Sequence, residues 1–330
     1  MAGMTGPGAA RNPAAGPAGT GQGAAGIAPG LPRRLERLYE GKAKVVYRTS
    51  DQDLVWIHFK DDATAFDGKK RGSIEDKGRL NALISARLFQ VVEQAGVPTH
   101  FVQLAGERDM LARAVRIIPI EVVVRNVVAG SLARRLGLEE GRHLPEPVIE
   151  FYYKRDDLGD PLINRSHVRL LGLAGDDELD RIEDMALAVN RALRAFLYDR
   201  GLVLVDFKLE FGRDRDGRIL LADEISPDTC RFWDRDTGRR LDKDRFRQGL
   251  GGEREAYAEV LRRVSGEPGA GGGASPAGAG DAAGAGGIDG TGTGPVPGGA
   301  GAAGAGPAAT AGTGPAGSPG TGTGAAGERP

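Results

Sequence analysis

Charged residues occupy every second position in one otherwise apolar segment, residues 202–211. Because side chains in a strand alternate between two faces, Asp206, Lys208 and Glu210 are predicted to share one face. The opposite face would carry Val203, Val205, Phe207, Leu209 and Phe211. Two carboxylates around a lysine are typical of a site where a divalent cation meets phosphate. A solvated sheet face would show the same alternation, so the segment alone leaves both interpretations open.

A second strand adds another carboxylate to this group. An Asp-Gly turn signal at residues 216–217 predicts antiparallel pairing with a strand at residues 218–225. In that register Asp223 falls nearly opposite Lys208 and diagonal to Glu210, within side-chain reach of both. Magnesium takes oxygen ligands, usually one or two carboxylates together with phosphate oxygens and water. The hairpin therefore predicts a Mg²⁺ site at Glu210 and Asp223.

The segment YEGKAK, residues 39–44, could contact the phosphates of a nucleotide. Gly41 lets the backbone approach a ligand closely, and Lys42 and Lys44 project from one face of a predicted β-hairpin. The segment is not a Walker loop, because it lacks the glycine and lysine spacing of that motif. A lid over phosphates and an ordinary hairpin with surface lysines both fit this segment.

Residues 117–135 combine a cation in an apolar strand with the start of a helix. Arg125 lies within the strand, where an unpaired charge would be costly. Ser131 can cap a short helix that begins at Gly130, and free N–H groups at a helix start bind anions. Because a guanidinium can bond two phosphate oxygens, the segment predicts a phosphate site. The alternative is a structural ion pair of Arg125 with a carboxylate such as Glu121.

The elements that position these residues are mostly strands that adjoin in sequence. Strands are predicted within residues 37–49, 53–60, 100–128 and 148–154, besides the hairpin at 202–225. Helices are predicted at residues 77–95, after Ser131, from Asp176 to Gly201 and near 253–264, and residues 61–78 read as a polar loop. Neighbouring strands favour an α+β fold with antiparallel sheets over a doubly wound parallel sheet.

Both ends of the chain differ in composition from its middle. Residues 1–30 and 266–330 consist almost entirely of Gly, Ala, Pro, Thr and Ser. Such segments cannot bury enough apolar surface to offset the entropy of ordering their backbone, so we predict two disordered tails. Residues 31–265 are long enough for one two-lobed domain, with an N-lobe at about 31–118 and a C-lobe at about 119–265.

Charge and cysteine content restrict the partners. The 44 basic and 45 acidic residues give a net charge of −1, so no global field attracts nucleic acid or an anionic membrane. Cys230 is the chain's one cysteine, which excludes an intramolecular disulfide and fits a reducing compartment. No secretory leader is recognisable, and the apolar run around Arg125 is too short to span a bilayer. We therefore expect a cytoplasmic protein with neither nucleic-acid nor membrane partners.

Six segments, in this order, resemble the SAICAR synthetase family of purine biosynthesis over about residues 38–264. They are LYEGKAKVVY, DKGRLNALIS, IIPIEVVVRNVVAGS, LVDFKLEFG, ADEISPDTCRFWD and DKDRFRQGLGG. The resemblance implies a fold related to ATP-grasp and kinase-like architectures, with flanking helices on antiparallel sheets and ATP between two lobes. It also implies a homodimer or a larger homo-oligomer.

The resemblance implies an activity as well. Members of the family join the carboxylate of 5-amino-1-(5-phosphoribosyl)imidazole-4-carboxylate to the amine of L-aspartate, splitting ATP to ADP and phosphate. Because a carboxylate is a poor electrophile, a carbonyl phosphate is expected to form before the amine attacks. Phosphoryl transfer depends on positioning and on neutralising phosphate charge, which Mg²⁺ and lysines can do without a covalent nucleophile.

The family's motifs carry roles onto matching positions of this chain. The implied cofactor-binding residues are Lys42 and Lys44 for the ATP phosphates and Glu210 and Asp223 for Mg²⁺, and the implied catalytic residues are Lys208 and Asp228. The implied residues for the imidazole nucleotide and aspartate are Asp67, Arg125, Ser131, Lys154, Asp160, Arg231 and Arg247. A basic run such as the one around Arg247 is also typical of a solvated face.

One position departs from the family, and two other functions compete with this one. Arg165 stands where the family more often has an acidic residue, which leaves the role of its loop in the aspartate pocket open. A small-molecule kinase of similar architecture would share the lysines and carboxylates but not the segments RNVVAGS and SPDTCRFWD. A nucleic-acid-binding module would show a clear basic excess, which the balanced charge of this chain does not.

Overall fold

The structure, a computed structural model, describes residues 30–65 and 69–266. Its strands are β1 (Arg34–Glu40), β2 (Lys44–Thr49), β3 (Leu54–Phe59), β4 (Asp62–Ala65), β5 (Lys70–Ser73), β6 (Phe101–Gly106), β7 (Asp109–Arg113), β8 (Arg116–Val127), β9 (His143–Tyr153), β10 (Leu162–Ile163), β11 (Leu202–Arg213), β12 (Ile219–Ala222) and β13 (Cys230–Asp234). Its helices are α1 (Lys77–Gln94), α2 (Gly130–Leu136), α3 (Arg165–Leu170), α4 (Asp176–Tyr198), α5 (Asp244–Gln248) and α6 (Glu253–Ser265). Asp67 and nearly all of the two predicted tails lie outside the described residues.

The first large sheet has the strand order β1-β2-β3-β7-β6, and every neighbouring pair is antiparallel. Helix α1 packs on it through an apolar stripe of residues three to four positions apart, the spacing that keeps side chains on one helix face. Leu80, Ile84 and Leu88 of this stripe are at most 2% exposed and join the core with Phe59 and Met110. The predicted helix at residues 77–95 is therefore confirmed.

The second large sheet has the order β10-β9-β8-β11-β12, and β13 pairs with the first part of β11. Its central strands β8 and β11 have 12 residues each, and α4 packs on them with Leu179, Ile182 and Val189 buried. Three acidic residues in the first turn of α4 favour its start, because they lie at the positive end of the helix dipole. The strand pairings confirm an α+β fold with antiparallel sheets.

The chain passes from the first sheet to the second between Arg113 and Arg116, close to the lobe boundary predicted near residue 118. Buried side chains of both sheets nevertheless belong to one apolar core, which joins Ile57 and Met110 to Val122 and Phe211. The division of residues 31–265 into two lobes stays a prediction.

The polar loop predicted at residues 61–78 contains a short hairpin instead, made by β4 and β5. Ala63 and Ala65 lie on one face of this hairpin and form a small apolar cluster with Ile74 and Phe246. Phe246 belongs to α5, almost two hundred positions further along the chain. The hairpin was missed because its apolar partner is distant in sequence.

The predicted facing of β11 is wrong in its first half. Val205 packs in a separate cluster with Val127 and Ala129, whereas Phe207, Leu209 and Phe211 point into the main core. The pairing with β13 shifts register between Leu204 and Asp206, and such a β-bulge changes which face the following side chains occupy. The alternation therefore changes phase at the bulge, with Leu202 and Leu204 facing the main core before it and Phe207 after it.

Candidate active site

A cavity of about 350 Å³ lies over the charged face of β11. Asp206 and Lys208 of this strand line it, together with Glu121 and Arg125 of the neighbouring strand β8. The sequence-predicted residues on its wall are Lys42, Arg125, Ser131, Asp160, Lys208, Asp228, Arg231 and Arg247. Sequence segments that span the whole domain thus meet at one site.

A lysine–carboxylate cluster adjoins one end of the cavity. Lys208 Nζ donates hydrogen bonds to Glu121 Oε1 at 2.6 Å and to Glu210 Oε1 at 3.2 Å. Lys154 Nζ lies 2.6 Å from the same Glu210 oxygen. Glu121 and Glu210 are Cα partners in the pairing of β8 with β11, which explains why one ammonium reaches both. Sequence reasoning considered Glu121 only as a partner of Arg125 and missed it as a site residue.

Asp223 joins this cluster with a backbone that differs from the prediction. The observed register pairs Glu210 with Ala222, so Asp223 falls one residue away from the predicted place opposite Lys208. Strand β12 ends at Ala222, and Asp223 has a φ of 63°, a left-handed conformation that Asp tolerates better than most residues. Its carboxylate pairs with Lys44, and Lys44 Nζ also lies 2.9 Å from Glu224 Oε1.

The cluster keeps its groups charged. Burial by itself would lower the pKa of Lys208, but Glu210 and Glu121 raise that pKa above its usual value. Burial would likewise raise the pKa of Asp223, but Lys44 and Lys208 hold it well below its usual range. Lys208 is therefore an ammonium and Asp223 a carboxylate at neutral pH.

These carboxylates suit Mg²⁺, which prefers hard oxygen ligands. Among residues 30–65 and 69–266, no group of three or more His, Cys, Asp and Glu side chains forms a ready metal cage. Magnesium in phosphoryl-transfer sites needs only one or two carboxylates, since phosphate oxygens and water complete its shell. Glu210 and Asp223 both act on Lys208, so the number of carboxylates near this ammonium fits that smaller requirement.

Arg125 is held by the protein on several sides. Its Nε donates to Glu150 Oε2 and its Nη1 to Asp206 Oδ2, both at 2.8 Å. Its Nη2 donates to Ser131 Oγ at 2.9 Å and to Tyr152 OH at 3.3 Å. These bonds use four of the five N–H groups of a guanidinium, and the residue is 3% exposed. The protein therefore fixes the orientation of the Arg125 guanidinium at the cavity. Few of its N–H groups remain to form two parallel hydrogen bonds with a ligand.

Arg231 and Arg247 continue the basic wall beyond Arg125. Arg231 Nη1 donates to Asp206 Oδ2 at 2.8 Å, and its Nε donates to Asp244 Oδ2 at 2.7 Å. Arg247 Nη1 donates to the other oxygen of Asp244 at 2.5 Å. The Arg231 guanidinium passes so close to Gly130 that a Cβ there would meet its Nη2 at 2.5 Å. Because glycine has no Cβ, residue 130 leaves room for the Arg231 guanidinium.

The structure corrects the predicted helix cap on this wall and the partner considered for Arg125. The residue that precedes α2 is Ala129, and the Ser131 hydroxyl accepts a hydrogen bond from Arg125 and does not cap the helix. The alternative of a structural ion pair is found for Arg125, but its partners are Glu150 and Asp206, whereas Glu121, the example considered, pairs with Lys208. Spacing along the chain did not show which strand neighbour each charge would meet.

Lys42 and Asp160 lie at the outer part of the cavity. Lys42 Nζ donates to Asp156 Oδ1 at 2.9 Å, and both side chains are more than half exposed. Asp160 has a φ of 46°, and its Oδ1 accepts a hydrogen bond from the backbone N–H of Arg155 at 2.8 Å. The predicted YEGKAK hairpin thus reaches the segment between β9 and β10 across the cavity.

Comparison with known proteins shows the family of this chain. The SAICAR synthetase family matches residues 37–264. A Brevibacillus brevis protein named phosphoribosylaminoimidazole-succinocarboxamide synthase is 57% identical over 234 residues, which are 71% of this chain and 98% of the relative. The chain belongs to the SAICAR synthetase family. The predicted family, enzyme class and ligase activity are thereby confirmed.

Solved structures of SAICAR synthetases have the same fold. One, in complex with ADP, is 52% identical and covers 70% of this chain and 98% of its own, with a TM-score of 0.68. Another, from Ehrlichia chaffeensis, is 43% identical and covers 71% of this chain and 100% of its own, with a TM-score of 0.69. The ADP complex supports the predicted use of ATP within the family.

Arg165, whose role the SAICAR synthetase resemblance left open, has structural partners here. Arg165 begins α3 and forms ion pairs of 2.7 Å with Asp180 and 2.8 Å with Glu183, both on α4. Its charge is therefore used to attach α3 to α4. Cys230 is buried on the cavity wall, and burial raises the pKa of its thiol, so a reactive thiolate is disfavoured.

Proposed function

We propose that this cavity joins 5-amino-1-(5-phosphoribosyl)imidazole-4-carboxylate to L-aspartate at the expense of ATP. Its two ends have different chemistry, as a reaction with a nucleoside triphosphate and a ribonucleotide requires. The observation that carries the assignment is the single ammonium of Lys208 shared by Glu121 and Glu210 on adjacent strands. If a metal ion binds these carboxylates, the Lys208 ammonium becomes free to interact with a phosphoryl group instead.

The lysine–carboxylate end is assigned to the ATP phosphates. Glu210 and Asp223 would hold Mg²⁺, which when bound would neutralise charge on the phosphate oxygens. Lys44 and Lys208 pair with these carboxylates in the structure and would turn to the phosphates instead. Lys42, on the exposed hairpin, would cover the phosphates from the solvent side. Positioning and charge neutralisation are the main contributions a protein makes to phosphoryl transfer.

The arginine end is assigned to the phosphate of the ribonucleotide. Arg231 and Arg247 carry positive charge on the cavity wall, and Ser131 offers a hydroxyl beside them. Arg125 supplies charge and holds Ser131 in place, because most of its N–H groups bond to the protein. Lys154, which pairs with Glu210, and Asp160, at the outer part of the cavity, would orient the imidazole and aspartate, a role that Asp67 would share.

The chemistry follows from this arrangement. A carboxylate oxygen of the imidazole nucleotide attacks the γ-phosphorus of ATP, the bond to the β-phosphate oxygen breaks, and ADP leaves. The aspartate nitrogen then attacks the carbonyl carbon, the C–O bond to phosphate breaks, and a proton leaves the nitrogen. Lys208 contributes by remaining next to the transferred phosphoryl group throughout.

Phosphate release tests the proposal. Release that requires the imidazole carboxylate and L-aspartate together is the expected result. Lys208→Met should abolish it, and its melting temperature should fall because Glu121 and Glu210 lose their shared cation. An equal rate of ADP formation without aspartate would instead identify a small-molecule kinase and overturn the ligase assignment.

The proposal also covers the partners, the cellular location and the assembly of the enzyme. Its partners would be small molecules, its location the cytoplasm, and its assembly a homodimer or larger homo-oligomer. In the described part of the chain, no helix is long and apolar enough to cross a membrane. Light scattering during gel filtration measures the assembly directly, and a monomer at micromolar concentration would contradict that part.

A further inference from the structure

A buried ammonium lies just behind the cavity. Lys77 is the first residue of α1, and its side chain is 1% exposed. Burial disfavours a charged lysine, and so does the positive end of a helix dipole. Its Nζ lies 2.7 Å from Asp228 Oδ2, and among the described residues Asp228 is the carboxylate with which it forms an ion pair. Lys77 itself does not line the cavity, whereas Asp228 does.

Asp228 is held on its other side as well. Tyr257, fully buried on α6, donates its hydroxyl proton to Asp228 Oδ1 at 2.8 Å. The backbone N–H of Asp228 donates to Ser226 Oγ at 3.1 Å. On the cavity side, Lys243 Nζ lies 3.8 Å from Oδ2, the oxygen that Lys77 also contacts. One carboxylate therefore joins α1 and α6 to the cavity wall.

We infer that Lys77 and Tyr257 are positioning residues, which hold Asp228 and through it Lys243 in the geometry that the cavity presents to the imidazole carboxylate and aspartate. The inference rests on the proposed function, which assigns the ATP phosphates to Lys42, Lys44 and Lys208. Lys243 and Arg247 stand on the same wall as Asp228. A shift of the Asp228 carboxylate would move the nearby ammonium relative to both substrates.

The surrounding charges support a fixed negative charge at Asp228. Burial would raise the pKa of Asp228, but Lys243, Lys77 and the Tyr257 hydroxyl hold it well below its usual range. The charged groups that act on Lys243 besides Asp228 are Lys77, Arg247 and Glu224, and those that act on Tyr257 are Asp242 and Arg247. An ionised Asp228 attracts both Lys77 and Lys243 and so helps to fix their positions. It is also a poor proton donor.

Tyr257→Phe is the decisive variant, because it removes one hydroxyl and keeps the ring that packs in the core. Hydrogen bonds to charged groups are the stronger ones, so we expect kcat/KM for the imidazole carboxylate and for aspartate to fall about 10-fold. KM for ATP should stay within about 2-fold, since its phosphates are assigned to Lys42, Lys44 and Lys208 and not to Asp228. Tyr47→Phe is the matched control, since Tyr47 lies on β2 and does not line the cavity.

Lys77→Met adds a readout that a purely structural role would not change. Without Lys77 the pKa of Asp228 rises, so the acid limb of the pH profile of kcat/KM should move to higher pH than in the parent. Unchanged kinetics and an unchanged pH profile in both variants would overturn the inference, as would equal losses for all three substrates. If Lys77→Met fails to fold, Tyr257→Phe decides alone. A parent enzyme without the joint substrate requirement would contradict the proposed function itself.

Discussion

Glu121 of β8 and Glu210 of β11 lie directly opposite each other on adjacent strands, and Lys208 donates a hydrogen bond to both. Two like charges in such a cross-strand pair destabilise a sheet unless a cation lies between them. Lys208 is that cation in the structure. The pair therefore marks a place where positive charge is required, whether from an ammonium or from a metal ion.

Removing either proposed metal ligand should stop the reaction. Glu210→Gln and Asp223→Asn each remove one negative oxygen donor, and each should lower kcat by at least about 100-fold. The double variant should lose little more than either single one, because both residues serve one ion. Asp216→Asn, in the exposed turn before β12, is the control. Near-full activity of either variant at saturating Mg²⁺ would contradict the assignment.

Glu121 should affect Mg²⁺ more than it affects the substrates. It stands next to Glu210 and shares Lys208, so Glu121→Gln frees that lysine to compete for Glu210. We expect the Mg²⁺ concentration at half-maximal rate to rise about 10-fold, as for other residues that orient a metal ligand. A Mg²⁺ titration at saturating substrates measures this, with the exposed Glu139→Gln as control. An unchanged titration would mean that Glu121 is only a partner of Lys208.

Arg125→Lys tests whether Arg125 acts on the ribonucleotide or only holds the cavity wall together. Lysine keeps the charge but cannot reach Glu150, Asp206 and Ser131 at once, so the melting temperature should fall. A charge-assisted hydrogen bond contributes about 1.5–3 kcal/mol, so kcat/KM for the imidazole carboxylate should fall by about 10- to 150-fold. KM for ATP should change far less. An equal loss for ATP and the imidazole carboxylate would show that Arg125 acts only as scaffolding.

The two terminal segments should be dispensable. Their composition predicts disorder, and a disordered segment adds no core to the domain. A chain of residues 31–265 should therefore keep the specific activity of the parent and its melting temperature to within about 3 °C, which corresponds to roughly 1 kcal/mol at this size. Calorimetry of both proteins in one buffer makes the comparison. A larger drop would show that a tail packs against the domain.

The sequence by itself determined which residue types share the charged face of β11. The alternation of Asp206, Lys208 and Glu210 depends only on local strand geometry, and these side chains do face the same site. The family, too, was recognisable from six short segments, and the helices α1 and α4 followed from apolar residues at helical spacing. Such features depend only on residues that are close in sequence, so the sequence alone predicts them.

The tertiary structure alone decided which charges meet. Glu121 faces Glu210, Arg125 pairs with Asp206, and these contacts depend on a strand register that spacing does not specify. Because of the β-bulge before Asp206, the first part of β11 faces the opposite way from the prediction. Because β12 ends at Ala222, Asp223 lies one residue from its predicted place. Lys77 and Asp228 are 151 positions apart and meet only because α1 packs behind the cavity. A buried charge must find its partner in space, and the folded backbone decides where that partner is.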